Sequence, residues 1–207
     1  MILGILGYGG SGKTLFAVLL ANIANKTNKK IITNITSLKI NHYDLDTQFL
    51  DIIDRKREIG YGYDKEKYVL IIDEIPQYLD SRESMRARNR DFSKIFYQIR
   101  KFRMDMIYTA QDIYSVDVRI RRITEKIILP EFNEHTNELT YSVFTNRDQY
   151  LFKNTIIIPT KLFEMYNTYE EIKGDIDIDR LLRKNKNKSK KNMVKIEDAT
   201  IEDLKLW

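Results

Sequence analysis

The stretch GYGGSGKT, Gly7 to Thr14, constrains this chain more than any other. It satisfies G-x-x-x-x-G-K-[ST] at every fixed position. It also sits where the pattern has meaning, after the apolar run MILGIL and before KTLFAVLLANIANK, a run of helical length with few breakers. Glycines at Gly7, Gly9, Gly10 and Gly12 let the backbone N–H groups converge on an anion, with Tyr8 and Ser11 completing the loop. The helix behind the loop adds roughly half a positive charge at its amino end. Lys13 is placed to reach β- and γ-phosphates, and the Thr14 hydroxyl to ligate Mg²⁺. An ordinary glycine-rich turn is the bland alternative, and the strand-loop-helix context argues against it.

The periodicities beyond the loop predict an α/β fold. KKIITNI and KYVLIIDE read as strands, the second the most apolar in the chain. YDLDTQFLDIIDRKREIG puts Leu45, Phe49, Ile52 and Ile53 at helical spacing and closes on Gly60. RDFSKIFYQIRKF carries Phe92, Ile95, Phe96 and Ile99 on one helical stripe. MDMIYTAQ and KIILPEF are further strands. ELTYSVFTNRDQYLFK reads as a hairpin turning at Asn146-Arg147-Asp148, and NTIIIPTKLFEMYNT as a separate strand followed by a short helix. Strands alternating with helices imply a mostly parallel sheet flanked by helices. The hairpin, from about residue 131, extends or decorates its edge. Residues 1–179 are expected to form one domain.

KYVLIIDE ends in Asp73-Glu74. Carboxylates at the carboxyl end of a central strand face the crevice where open α/β sheets bind ligands. Asp73 is expected to hold Mg²⁺ and Glu74 to polarise an attacking water as general base. A kinase has no need of that glutamate, because its acceptor is a substrate group, so the pair favours ATP hydrolysis. MDMIYTAQ would deliver Gln111 to the same crevice, where a neutral amide can sense the γ-phosphate. Arg100 lies eleven residues earlier on a helix end, too far back for its own nucleotide but able to complete a neighbour's in a ring. An arginine so supplied is worth roughly 10³–10⁵ in rate. Arg103, Arg119, Arg121 and Arg122 compete for that role.

There is no cysteine, which excludes thiol chemistry and zinc–thiolate sites, and His42 and His135 stand far apart in polar surroundings. The net charge of +5 is unevenly spread. Residues 180–195 carry eight basic side chains and no acid, and residues 196–207 four acids and one lysine. The body therefore sums to 5 − 8 + 3 = 0, and 180–207 reads as a basic, flexible tail. Residues 81–103 hold eight basic and two acidic residues. Arg82, Arg86, Arg88 and Arg90 in this stretch are candidates to grip DNA phosphates, against the plain alternative of a solvated surface. No apolar run reaches the roughly 18–20 residues of a membrane helix.

Taken together, the phosphate loop, the Asp-Glu strand and Arg100-Lys101 eleven residues before a strand-terminal Gln111 resemble the FtsK–HerA superfamily of ring ATPases, in its viral genome-packaging branch. The segments DEIPQYLDSR and YTAQDIYSVDVRIRR also resemble the zonula occludens toxin-like ATPases of filamentous phages, which usually carry a membrane segment. The resemblance covers about residues 1–130. It excludes the partition-type subclass, which has a lysine where Tyr8 stands. It implies a P-loop NTPase of the additional-strand, catalytic-glutamate type, using ATP and Mg²⁺ to translocate duplex DNA. It further implies a homo-oligomeric, hexameric ring in the host cytoplasm or on the virion, with capsid or membrane-associated viral proteins as partners. The alternatives are a phage assembly ATPase that extrudes virions and acts on protein at a membrane, and a nucleotide kinase.

Overall fold

The computed structural model describes residues 1–60, 66–79, 96 and 98–170. The four arginines proposed to grip DNA, Phe92 and Ile95 of the helical stripe, and the 180–207 tail lie outside the described residues.

Eight strands form one sheet: β1 Ile2–Leu6, β2 Lys30–Thr33, β3 His42–Asp44, β4 Tyr68–Ile72, β5 Met104–Ala110, β6 Lys126–Asn133, β7 Glu138–Thr145 and β8 Tyr150–Ile157. Their order across the sheet is β3-β2-β4-β5-β1-β6-β7-β8. From β3 through β6 every pairing is parallel, and β6-β7-β8 is an antiparallel meander. The order puts β5 between the phosphate-loop strand β1 and the acid-pair strand β4, the arrangement of additional-strand P-loop NTPases. Four helices are described: α1 Lys13–Lys26, α2 Leu45–Ile59, α3 Val118–Ile123 and α4 Thr160–Phe163.

Strand alternation sorts the core into two layers. Leu3, Ile5, Val69, Ile71 and Ile107 face α1 and α4, while Ile2, Leu70, Ile72, Met106 and Tyr108 face α2. Helix α1 is apolar on all sides because it is covered on all sides, with ten consecutive residues from Leu15 to Ala24 buried. Phe16, fully buried, packs its ring 4.9 Å from that of Tyr141 on β7. Truncating it to alanine is expected to cost about 3–5 kcal/mol. Helix α1 stops where the Thr27 hydroxyl donates back to the carbonyls of Ile23 and Ala24. Helix α2 starts on a reciprocal cap: Asp44 Oδ1 accepts from the Thr47 N–H, and Gln48 Oε1 from the Asp44 N–H.

Two strand expectations are corrected. YLFK and NTIII are one continuous strand, β8, because Lys153 and Asn154 sit on a sheet edge where polar side chains reach solvent. The short strand β3 precedes α2; its three half-exposed residues have no apolar signature, and pairing with β2 alone makes them a strand. The hairpin turn at Asn146–Asp148 is present, with Asp148 in the left-handed region at φ 58°. Among the described residues no helix is long and apolar enough to cross a membrane.

Candidate functional site

The site is built at the carboxyl edge of the parallel strands. Three phosphate-loop glycines, Gly7, Gly10 and Gly12, have positive φ. Gly10, at φ 77°, borders open space: a Cβ there meets nothing within 4 Å, which leaves the concavity an anion would fill. Gly12, at φ 87°, is the left-handed residue from which α1 starts. A Cβ on it would stand 2.8 Å from Phe132 Cβ and 3.0 Å from Leu139 Cδ1, so the β6–β7 hairpin presses directly on the loop. The hairpin is therefore a brace for the loop as well as an extension of the sheet.

Lys13 is buried, its ammonium donating to the Tyr8 carbonyl at 2.9 Å. No acid occupies the first turn of α1, so nothing there competes with an anionic ligand. The Tyr8 side chain is 86% exposed at the loop tip. Among the described residues Ser11 Oγ is buried without a hydrogen-bond partner. An unpartnered hydroxyl, an open glycine backbone and a buried ammonium together fit phosphate oxygens.

Asp73 and Glu74 follow β4 in the same crevice. Asp73 is 5% exposed and accepts from the Thr14 hydroxyl at 3.1 Å and 3.0 Å on its two oxygens. A carboxylate beside a hydroxyl is an oxygen-only donor set suited to Mg²⁺, which keeps the rest of its coordination sphere for water and phosphate. Among the described residues no cluster of three His, Cys, Asp or Glu side chains could hold a metal by itself.

Two residues that the sequence reading missed fix this pair. Thr109, on β5, is fully buried; its hydroxyl donates to Asp73 Oδ1 at 2.6 Å and accepts the Glu74 N–H at 2.8 Å. Asn34, just past β2, clamps the Asp73 peptide with both ends of its amide, accepting the N–H and donating to the C=O, each at 2.8 Å. A polar residue inside the apolar run MIYTA was the available signal for Thr109. For Asn34 it was an amide ending a β-branched strand. Glu74 adopts φ 51°, ψ 56°, a left-handed conformation that costs a non-glycine residue about 1–2 kcal/mol. The Thr109 hydroxyl holds it there.

Burial pushes the Asp73 carboxyl above its ordinary value, and this outweighs the hydroxyls of Thr109 and Thr14 and the charge of Lys13, which pull it down. Glu74 is also raised, first by burial and then by Asp73 beside it, with Lys13 opposing. A carboxylate that gains from taking up a proton suits a general base.

Gln111 follows directly on β5, exposed, and the preceding Ala110 carbonyl accepts the Gly7 N–H at 3.3 Å. It therefore stands beside the phosphate loop on the same edge as Asp73, Glu74, Lys13 and Thr14. Arg100 does not. It lies at the opposite, amino edge, where Nη2 donates to Glu125 Oε1 at 2.7 Å, and the same oxygen accepts the Ile2 N–H at the start of β1. Of its competitors, Arg119 pairs with the buried Asp117 at 3.6 Å and Arg121 lies over the Tyr114 ring. Arg122 shares the amino edge with Arg100.

The sequence model of the zonular occludens toxin (Zot) family matches residues 1–171. Among solved structures, the N-terminal domain of zonular occludens toxin from Neisseria meningitidis is similar at TM-score 0.54 and 20% identity, covering 80% of this chain and 98% of that one. The genome packaging NTPase B204 of Sulfolobus turreted icosahedral virus 2, solved with ATP-gammaS, is similar at TM-score 0.51 and 15% identity, over 76% and 98% of the two chains. At these identities the structural likenesses establish the P-loop NTPase fold. A search among curated proteins finds no match.

Proposed function

The chain belongs to the zonular occludens toxin family, and from that premise we propose that it is an ATP-hydrolysing motor ATPase that translocates duplex DNA as a homo-oligomeric, hexameric ring. The observation that carries hydrolysis is the join of Asp73 and Glu74 through Thr109, within the field of Lys13. Lys13 and the loop N–H groups, with the Ser11 hydroxyl, bind the β- and γ-phosphates. Thr14 and Asp73 would hold Mg²⁺, which would supply charge neutralisation on the phosphate oxygens. Glu74 takes the proton from the attacking water, and Gln111 orients that water and senses the γ-phosphate. Arg100, pointing away from its own nucleotide, is left to serve a neighbouring copy's.

DNA as cargo draws support from the likeness to a packaging NTPase, and Arg82, Arg86, Arg88 and Arg90 are the proposed grip on its phosphates. The family match favours a second reading, a phage assembly ATPase acting on protein at a membrane. Turnover measured with and without duplex DNA across a salt series separates the two. DNA translocation predicts stimulation that fades as salt screens the phosphates; DNA-indifferent turnover would favour extrusion. For the ring, an Arg100→Ala copy mixed with a Glu74→Gln copy should recover hydrolysis at sites pairing an intact Glu74 with an intact Arg100. No recovery would remove Arg100 from the trans role.

A further inference from the structure

The amino edge of the sheet carries a second concavity, of about 570 Å³, that the ATPase reading leaves without a task. It lies between the turn before β5, the end of α3 and the β7–β8 turn. These supply Arg100, Arg122 and Arg147 respectively, and Ile2 and Ile123 form part of the wall. All three arginines are exposed. Among the described residues Glu125 is the only carboxylate in the lining, and it is already engaged by Arg100 and by the Ile2 N–H. The described lining thus keeps an excess of two positive charges beside one accessible apolar side chain, Ile123, and the cavity's size lies within the roughly 300–1,000 Å³ of ligand sites. The matching chemistry is an acidic peptide that also carries large apolar side chains.

The chain contains one such peptide. Residues 196–207, IEDATIEDLKLW, hold Glu197, Asp198, Glu202 and Asp203 against a single lysine, together with Leu204, Leu206 and Trp207. They lie beyond the described residues, and 171–195 connect them to Glu170. Glu170 is anchored at the carboxyl edge, its carboxylate accepting the N–H and hydroxyl groups of Thr36 and Ser37. Twenty-five connecting residues reach up to ~80 Å. The longest strands, at eight residues, measure about 26 Å from edge to edge. The connection is long enough to cross the sheet and enter the cavity of the same molecule.

We infer that residues 196–207 dock in the Arg100–Arg122–Arg147 cavity of their own chain. Glu202 and Asp203 supply the negative charge that matches Arg122 and Arg147, and Trp207 follows four residues on. The docking does not depend on the ATPase reading.

Trp207 is the only tryptophan in the chain, so its fluorescence, excited where tyrosine does not absorb, reports the docking in the full protein without a label. Acrylamide quenching of wild type at low salt should be weak and independent of protein concentration. In Arg122→Glu/Arg147→Glu it should rise about twofold or more, as two attractive contacts become repulsive. Salt should bring wild type toward the variant as the charges are screened. Arg122→Gln/Arg147→Gln offers a milder version, and thermal unfolding checks that each variant folds. Adding Glu202→Arg/Asp203→Arg to the Glu pair should restore protection, which a purely structural lesion would not allow. Equal quenching in wild type and the arginine variants overturns the inference, because the acidic segment would then be free or paired with the basic 180–195 run. Protection that fades on dilution overturns docking within one chain.

Discussion

The two edges of this sheet handle charge in opposite ways. At the carboxyl edge Asp73 is buried, bound by two hydroxyls, and still raised because burial disfavours its charge. At the amino edge Asp105 is also partly buried, and burial again pushes it up. The chain's amino group and Lys29, at 2.6 and 2.9 Å, overcome that push and hold it below its ordinary value. The first edge gives up stability to keep a carboxyl group beside Thr14 and Lys13. The second settles its charge with partners already in the fold. That difference separates a poised site from a structural ion pair, and neither a motif nor a charge count distinguishes them.

The largest expected effect that would break the comparison comes from Glu74→Gln. Steady-state turnover should fall roughly 10²–10⁴-fold with ATP binding retained, as for loss of a general base. Near-normal turnover would take Glu74 out of the chemistry. Thr109→Val removes the hydroxyl shared by both acids. The loss of a hydrogen bond to a charged group, about 1.5–3 kcal/mol, should lower kcat some 10- to 100-fold with little change in nucleotide affinity, and Thr109→Ser should recover most of it. An equally impaired Ser variant would mean that Thr109 acts through packing.

Stability should separate the edges by sign. Asp73 and Glu74, with raised values, favour the fold below their unfolded values and lose that contribution as pH rises through the folded ones. Asp105, held low, contributes above its unfolded value and loses it as pH falls through the folded one. Without nucleotide, Asp73→Asn should therefore raise the unfolding midpoint at neutral pH and Asp105→Asn lower it. Shifts of the same sign would erase the distinction. The smallest effect belongs to Arg100→Ala. Its pair with Glu125 is mostly solvent-exposed, so its loss should cost under about 1 kcal/mol in chemical denaturation.

How much could be read from the residues also follows this division. The phosphate loop, α1, β4 and β5 were legible because they are apolar runs closed by residues with one chemical use, and Gln111 falls at the predicted edge. Thr109 and Asn34 were not, because their role depends on β5 and β2 flanking β4, which is a matter of strand order. Strand β3 was hidden by its length and β8 by the polar interruption an edge tolerates. The eleven-residue spacing of Arg100 from Gln111 gave no direction; the fold sends one residue to each end of the same strand.

The absence of a side chain at Gly12 bears on how this protein should be truncated. Phe132 and Leu139 fill the space its Cβ would take, so the meander forms the floor on which the loop rests. A fragment ending near residue 130 keeps every motif residue yet removes that floor. A fragment meant to keep the loop's shape is therefore expected to need the hairpin, and grafting the first 130 residues onto another scaffold would carry the lettering of the site without its foundation.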